Sequence, residues 1–271
     1  MTEVAYIDRP SRALYFYAIL YLGFLYIPVL FLPMFSFNDN IYIAFPLKGF
    51  TTKWYVAMFN NQPMWAALNN SLNVACVSAA IATLLGLLGA KAVTRYRIPG
   101  EKPIIFVIML PMVVPYIIMG VALLILITRL GIDLSLYTVT MAHVLISVPF
   151  AMATLIARFE GFDQALEEAS VDLGASPLST FWRVTLPLVF PGVLASFLLC
   201  FTISFDEFIM AYFLAGTDPT LPIFIWSQLR FPFRLPGVLA LGSLILVVSF
   251  VVVFISQWLR RYRVEKTQPG I

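Results

Sequence analysis

The sequence predicts an all-α membrane protein with six transmembrane helices, and three observations carry that reading. Of 271 residues, 61% are hydrophobic and 11% charged, with a mean hydropathy of +0.92; no water-soluble domain has that balance. Charge-free runs long enough to cross a hydrocarbon core recur along the chain, at Ala13–Asn38, Trp54–Ala90, Pro103–Thr128, Leu134–Ala157, Val184–Phe205 and Leu235–Leu259. A core about 30 Å thick needs roughly 20 apolar residues of helix. The 17 Lys and Arg, finally, divide unevenly between the two sides that six spans define.

The first run predicts a span over about 13–35. It is too long for a cleaved signal peptide and no A-x-A-like site follows it, so it reads as a retained span. The second run opens with "WYVAMFNNQPMWAALNNS", broken by Asn, Gln and Pro, which reads as an interfacial segment with Trp54 and Trp65 near the headgroups; its span is expected at 67–90. The remaining spans are expected at 104–128, 136–157, 186–206 and 236–259, and the six form a single membrane domain over 1–271. Pro28, Pro33, Pro111, Pro115, Pro149 and Pro191 fall inside spans, which fits a channel-lining or rocking bundle and equally fits ordinary kinks. Cys76 and Cys200 lie in apolar runs and read as small packing residues, with no disulfide framework and no metal-ligand spacing. The lone histidine, His143, reads as a packing or interhelical hydrogen-bonding residue rather than a proton relay.

With both termini in the cytoplasm, Arg9, Arg12, Arg95, Arg158, Arg260 and their neighbours put twelve of the 17 basic residues inside, leaving Lys48, Lys53, Arg129, Arg230 and Arg234 outside. That bias sets the expected orientation. The net charge of +3 gives no reason to expect nucleic acid as a partner.

The connection between spans four and five is more elaborate than a linker requires. In "EEASVDLGASPLSTFWRVTLP", Glu167–Pro187, the residues Phe162, Leu166, Ala169 and Leu173 form one apolar stripe of a helix, with Glu168 and Asp172 on another flank. Gly174 is the helix stop, and Ser176-Pro177 opens a second short helix with Ser as N-cap. Phe181 and Trp182 suit an interface position, and Leu186-Pro187 opens span five. An acidic amphipathic helix is a poor anchor for an anionic leaflet and suits a protein partner.

This segment resembles the EAA loop of binding-protein-dependent ABC importers, whose pattern is Glu-Ala-Ala, three residues, Gly, nine residues, Ile, one residue, Leu-Pro. Here Glu168-Ala169-Ser170, Gly174, Val184 and Leu186-Pro187 stand at those spacings, with Ser170 for Ala and Val184 for Ile. The resemblance implies a type I ABC importer permease fold and a coupling helix at about 162–174 within a cytoplasmic loop over 158–187. It implies that Glu168, Ala169, Ser170, Asp172, Gly174, Leu186 and Pro187 serve coupling to a separate ATP-hydrolysing subunit. The chain has no G-x-x-x-x-G-K-S/T, and "GLLGAK" at Gly86–Lys91 lacks both its spacing and its hydroxyl. A non-catalytic subunit that binds no cofactor, with ATP held by partner subunits, is therefore expected. An intramembrane protease is disfavoured by the lack of G-x-S-x-G. An ATP-independent secondary transporter is disfavoured by the lack of an internal repeat.

A second stretch, "SFDEFIMAYFLAGTDPTLPIFIWSQLRF" (Ser204–Phe231), places Asp206 and Glu207 after a charge-free helix. Two readings stand: a helix end solvated by headgroups, or a cation site or gate with Tyr212 and Trp226 offering aromatic faces to an amine. The stretch resembles the spermidine/putrescine branch of the permease family through Ser204-Phe205-Asp206-Glu207-Phe208, Phe213-Leu214-Ala215-Gly216 and Thr220-Leu221-Pro222, joined by "PLKGFTTKWY" at Pro46–Tyr55. That implies a polyamine or related small cation as cargo. "RFPFRLPGVLALGS" departs from the Asn-containing sequence of the polyamine members, which keeps another small solute, such as an opine, amino acid derivative or sugar-like compound, as the alternative. The resemblance also implies the remaining parts: a second homologous permease subunit, two ATP-binding subunits and a periplasmic substrate-binding protein, assembled at a bacterial inner membrane.

Overall fold

The computed structural model describes residues 12–267, with side chains described for all of these except 252, 253 and 255–267. Arg9 and the side chains of Arg260, Arg261, Arg263 and Lys266, which enter the orientation reading, lie outside the described residues. Among the described residues twelve α-helices follow one another: α1 Arg12–Ser36, α2 Lys53–Phe59, α3 Gln62–Arg95, α4 Glu101–Met109, α5 Tyr116–Arg129, α6 Leu136–Glu160, α7 Ala165–Asp172, α8 Pro177–Thr180, α9 Leu186–Asp206, α10 Ile209–Leu214, α11 Leu221–Leu229 and α12 Leu235–Thr267. No strand occurs among the described residues; the one isolated bridge joins Asn38 to Phe50. Among the described residues five helical segments are long and apolar enough to cross a membrane, and α4 with α5 makes a sixth if that bent pair is one span.

The stretch expected as one straight third span is broken. A 3-10 turn at Leu110–Met112 follows α4, and α5 departs at 100°. Pro115 explains the break: it has no N–H to continue the ladder, and its own backbone is extended, with ψ of 130°. The entry to span five also differs from expectation. Instead of an interfacial helix followed by a separate re-entry, the chain runs helically from Pro177 to Asp206 with a π-helical turn at Phe181–Thr185. Pro187 lies just past that turn, and its missing N–H is accommodated by the wider register.

The chain divides into two compact units. One comprises the residues up to Gln62 and those from Ser227 onward. In it α1 and α2 pack along α12. The Trp54 indole donates to the Asn38 carbonyl at 2.9 Å, and the Tyr55 and Ser36 hydroxyls meet at 2.6 Å, fastening the loop after α1 to α2.

The other unit, Pro63–Trp226, holds the residues of greatest functional interest. Helix α3 buries a face of small residues, Ala75, Ala79, Ala82 and Gly86. A Cβ built on Gly86 would stand 2.6 Å from Ala151 Cβ of α6, so only glycine permits this approach. Cys200 of α9 joins Ala79, Ala82 and Ala151 in the same cluster, with its Sγ 3.6 Å from the Ser147 carbonyl. At one end of the unit Leu87, Ala90, Leu155, Phe159 and Val189 form a second cluster; at the other, Val139, Ile146, Met210 and Leu214 pack with Met119 and Ile127 of α5.

Candidate functional site

Two places in the second unit gather the candidate residues. The first is the connection from α6 to α9. Helix α7 starts at Ala165, three residues later than the expected 162, because Asp163 accepts from the Ala165 amide at 2.9 Å and Phe162 turns inward onto Phe159, ring centroids 5.9 Å apart. The expected stripe is therefore split. Phe162 belongs to the interior cluster, while Leu166 is half exposed and Leu173 is 89% exposed. The helix ends in a full Schellman turn, with the Gly174 amide on the Val171 carbonyl at 2.8 Å and the Ala175 amide on the Ser170 carbonyl at 3.1 Å. Gly174 has φ of +87°, a conformation that glycine alone adopts cheaply. Ser176 then caps α8, accepting from the Ser179 amide at 3.3 Å, and the hydroxyls of Ser170 and Thr180 meet at 3.0 Å to hold the two short helices together.

Glu168 and Asp172 are both exposed, and Glu168 accepts from Gln164 at 3.2 Å within the helix. Ala169 is exposed beside them. Leu186 is partly covered and Pro187 exposed, both inside the continuous helical run. Glu167 differs from its neighbour. Its carboxylate meets Arg95 Nε at 2.5 Å and accepts from the Thr185 hydroxyl. A cleft of about 290 Å³ opens here, lined by Lys91, Arg95, Glu168, Asp172, Pro177 and Thr180 among others.

The second place is the break after α9. The backbone turns extended at Glu207 (φ −71°, ψ 121°) and α10 begins at Ile209. The two acidic residues, paired in the sequence reading, part company. Asp206 is exposed, in line with Thr202 and Leu198 at four-residue steps on the exposed face of α9, and has no hydrogen-bond or ion partner among the described residues. Glu207 is buried: its carboxyl oxygens accept from the amides of Ile209, Met210 and Ala211 at 2.9, 2.8 and 3.2 Å, and one lies 3.4 Å from His143 Nε2. That last approach is close but lacks hydrogen-bond geometry, so it is an electrostatic neighbour rather than a bond. His143 Nδ1 is 2.7 Å from Ser204 Oγ, which is 2.8 Å from Ser78 Oγ, so α3, α6 and α9 share one buried polar chain. Tyr212 and Trp226 are both half exposed, and Phe208 stands between them, 5.5 Å from each ring centroid.

Sequence reasoning missed Glu167, Arg95 and Phe208. Glu167 was hidden by its neighbour, since the motif spacing selects Glu168 and two adjacent glutamates face different sides of a helix. Phe208 carried a signal: an aromatic directly after two acids, four residues before Tyr212, is the spacing at which helical neighbours meet.

The family described as "Binding-protein-dependent transport system inner membrane component" matches residues 82–264. The chain belongs to this family. It is an ABC transporter permease subunit. Among its relatives, this permease is 37% identical over 240 residues to the spermidine/putrescine transport system permease protein PotC of Escherichia coli, covering 88% of this chain and 90% of that one. It is 34% identical over 258 residues to the putrescine transport system permease protein PotI of Escherichia coli, covering 92% and 91%. In structure it is similar to a bacterial alginate ABC transporter solved in complex with an alginate pentasaccharide-bound periplasmic protein, with a TM-score of 0.69 at 18% identity over 96% of this chain and 95% of that one. A second structure, of a bacterial ABC transporter involved in alginate import, gives a TM-score of 0.65 at 16% identity over 90% and 97%. At those identities the structural likeness speaks for the fold.

Proposed function

We propose that this permease forms half of the translocation pathway of an ATP-driven importer of polyamines, putrescine or spermidine, in the inner membrane. The observation that carries the reading is the 37% identity to a spermidine/putrescine permease across 88% of the chain. The break after α9 supports it: an exposed, unpaired carboxylate, Asp206, precedes an aromatic group in which the partly covered Phe208 joins the exposed Tyr212 and Trp226. An alkyl diammonium ion is recognised by that combination, its cations by a carboxylate and ring faces and its methylene chain by apolar surface. Glu207, turned inward onto three backbone amides, serves the architecture of the site rather than the cargo.

Energy enters through α7. Its exposed apolar side chains Leu166, Val171 and Leu173, with the acids Glu168 and Asp172 alongside, suit a groove on an ATP-binding subunit with basic residues at its rim. Ala169 keeps the helix slim at that contact, Ser170 ties it to α8 through Thr180, Gly174 supplies its turn, and Leu186-Pro187 begins the helix that receives the motion. The chain itself binds no cofactor in this scheme; ATP is held by two partner subunits. A second homologous permease completes the pathway and a periplasmic binding protein delivers the cargo. The basic residues at the ends of α3 and α6, Lys91, Arg95 and Arg158, favour a cytoplasmic α7 and cytoplasmic termini. The test is ATP hydrolysis by the reconstituted complex. Binding protein loaded with putrescine or spermidine should stimulate hydrolysis, and binding protein loaded with neither should stimulate it weakly. Equal stimulation by both would remove polyamines from the reading.

A further inference from the structure

We propose that Arg95 and Glu167 form the joint that passes displacement of α7 into the membrane helices, making Glu167 a positioning residue for transport separate from the exposed Glu168. The proposal rests on the reading of α7 as the coupling helix. Helix α7 buries none of its own side chains, so apolar packing does not fix it to the rest of the unit. Besides the Ser170–Thr180 hydroxyl contact with α8, it is attached through Glu167, whose two oxygens face two further elements. Oε2 meets Arg95 Nε at 2.5 Å at the last residue of α3, and Oε1 accepts from Thr185 in the π-helical turn that leads into α9.

Arg95 extends the joint to α6. A terminal nitrogen donates to the Phe159 carbonyl at 3.1 Å, and the guanidinium plane lies over the rings of Phe162 and Phe159 at 4.6 and 5.4 Å. One turn earlier Lys91 stands over the Phe181 ring at 4.3 Å, a second tie from α3 to the π-helical turn. The pair is well covered, at 11% and 13% side-chain exposure, so water does not readily substitute for either partner when α7 is pushed or pulled. A side chain held by a carboxylate, a carbonyl and two ring faces moves with them; it does not slide. Displacement of α7 therefore carries the ends of α3 and α6 and the start of α9 with it.

The test is made on the complete complex in lipid vesicles, reading polyamine moved per ATP hydrolysed. Glu167→Gln keeps the shape but has one acceptor oxygen in place of two, so while it accepts from Thr185 it turns an N–H donor towards Arg95 and the bond to the guanidinium is lost. The expected result is about a tenfold fall in that ratio, with the ATP-binding subunit still retained and hydrolysis nearly unchanged. A purely structural role for Glu167 would lower assembly and leave the ratio intact, which overturns the proposal. If Glu167→Gln does not assemble, Thr185→Val removes the other half of the grip and is read the same way; an unchanged ratio there overturns it too. Failure of the underlying coupling reading shows itself differently, in the unsubstituted complex, as uptake that does not depend on ATP hydrolysis.

Discussion

Glu207 lies with a carboxyl oxygen 3.4 Å from His143 Nε2 in the interior, although the residue before it, Asp206, is exposed. A single peptide step thus separates a buried acid from an exposed one, because the helix ends at Asp206 and the extended backbone at 207 reverses the side-chain direction.

The buried acid should behave as a cap. Glu207→Ala strands two buried amides and one partly covered amide at the start of α10, and the expected loss is about 1–3 kcal/mol in stability. Glu207→Gln, which keeps one acceptor oxygen, should lose less. Thermal unfolding of the purified permease in detergent reads both. A Glu207→Ala protein that unfolds at the unsubstituted temperature would show that the amides find other partners.

The exposed acid should behave as part of the cargo path. Asp206→Asn removes one charge-assisted contact and is expected to raise the apparent KM for putrescine about tenfold with little change in unfolding temperature. Phe208→Ala, which removes the ring between Tyr212 and Trp226, should weaken transport by a few-fold, the scale of a cation–π contact. Unchanged kinetics for Asp206→Asn would take that carboxylate out of the path.

Gly174 tests the turn after α7. A Cβ there meets no atom within 4 Å, so substitution acts through backbone strain at φ +87° and not through collision. Gly174→Val should cost well over the roughly 1–2 kcal/mol of a left-handed non-glycine residue, redirecting the chain between α7 and α8. Uptake should be abolished while the rest of the unit unfolds normally. Undiminished uptake would mean the turn tolerates another shape.

Helix packing gives a contrast between two glycines. Gly86→Ala forces α3 away from Ala151 and should destabilise by about 1–3 kcal/mol. Gly237→Ala, where nothing lies within 4 Å, should be neutral or slightly stabilising, since Ala exceeds Gly by about 1 kcal/mol in helix propensity. Urea or thermal unfolding distinguishes them.

The all-helical membrane architecture was legible because apolar length alone determines which segments can cross a bilayer. The turn at Gly174 was legible because glycine after an amphipathic stripe and before Ser-Pro has few other meanings. The 100° break at Pro115 was not, since Pro28, Pro33, Pro149 and Pro191 sit within helices that continue. Whether a membrane proline kinks or breaks its helix depends on which neighbours satisfy the freed carbonyls, and that is tertiary information. The separate fates of Asp206 and Glu207 were likewise unreadable, because they follow from where α9 ends to within one residue. Phe162 was assigned to the wrong element for a related reason: its period fits the α7 stripe, but Asp163 starts the helix after it.

The most direct measurement is uptake of labelled putrescine and spermidine into vesicles carrying this permease, its partner permease, the ATP-binding subunits and the binding protein. Polyamine should accumulate only with ATP and with every one of the four components present. Accumulation without ATP, or a fully assembled complex that hydrolyses ATP in response to its loaded binding protein yet moves no polyamine, would contradict this.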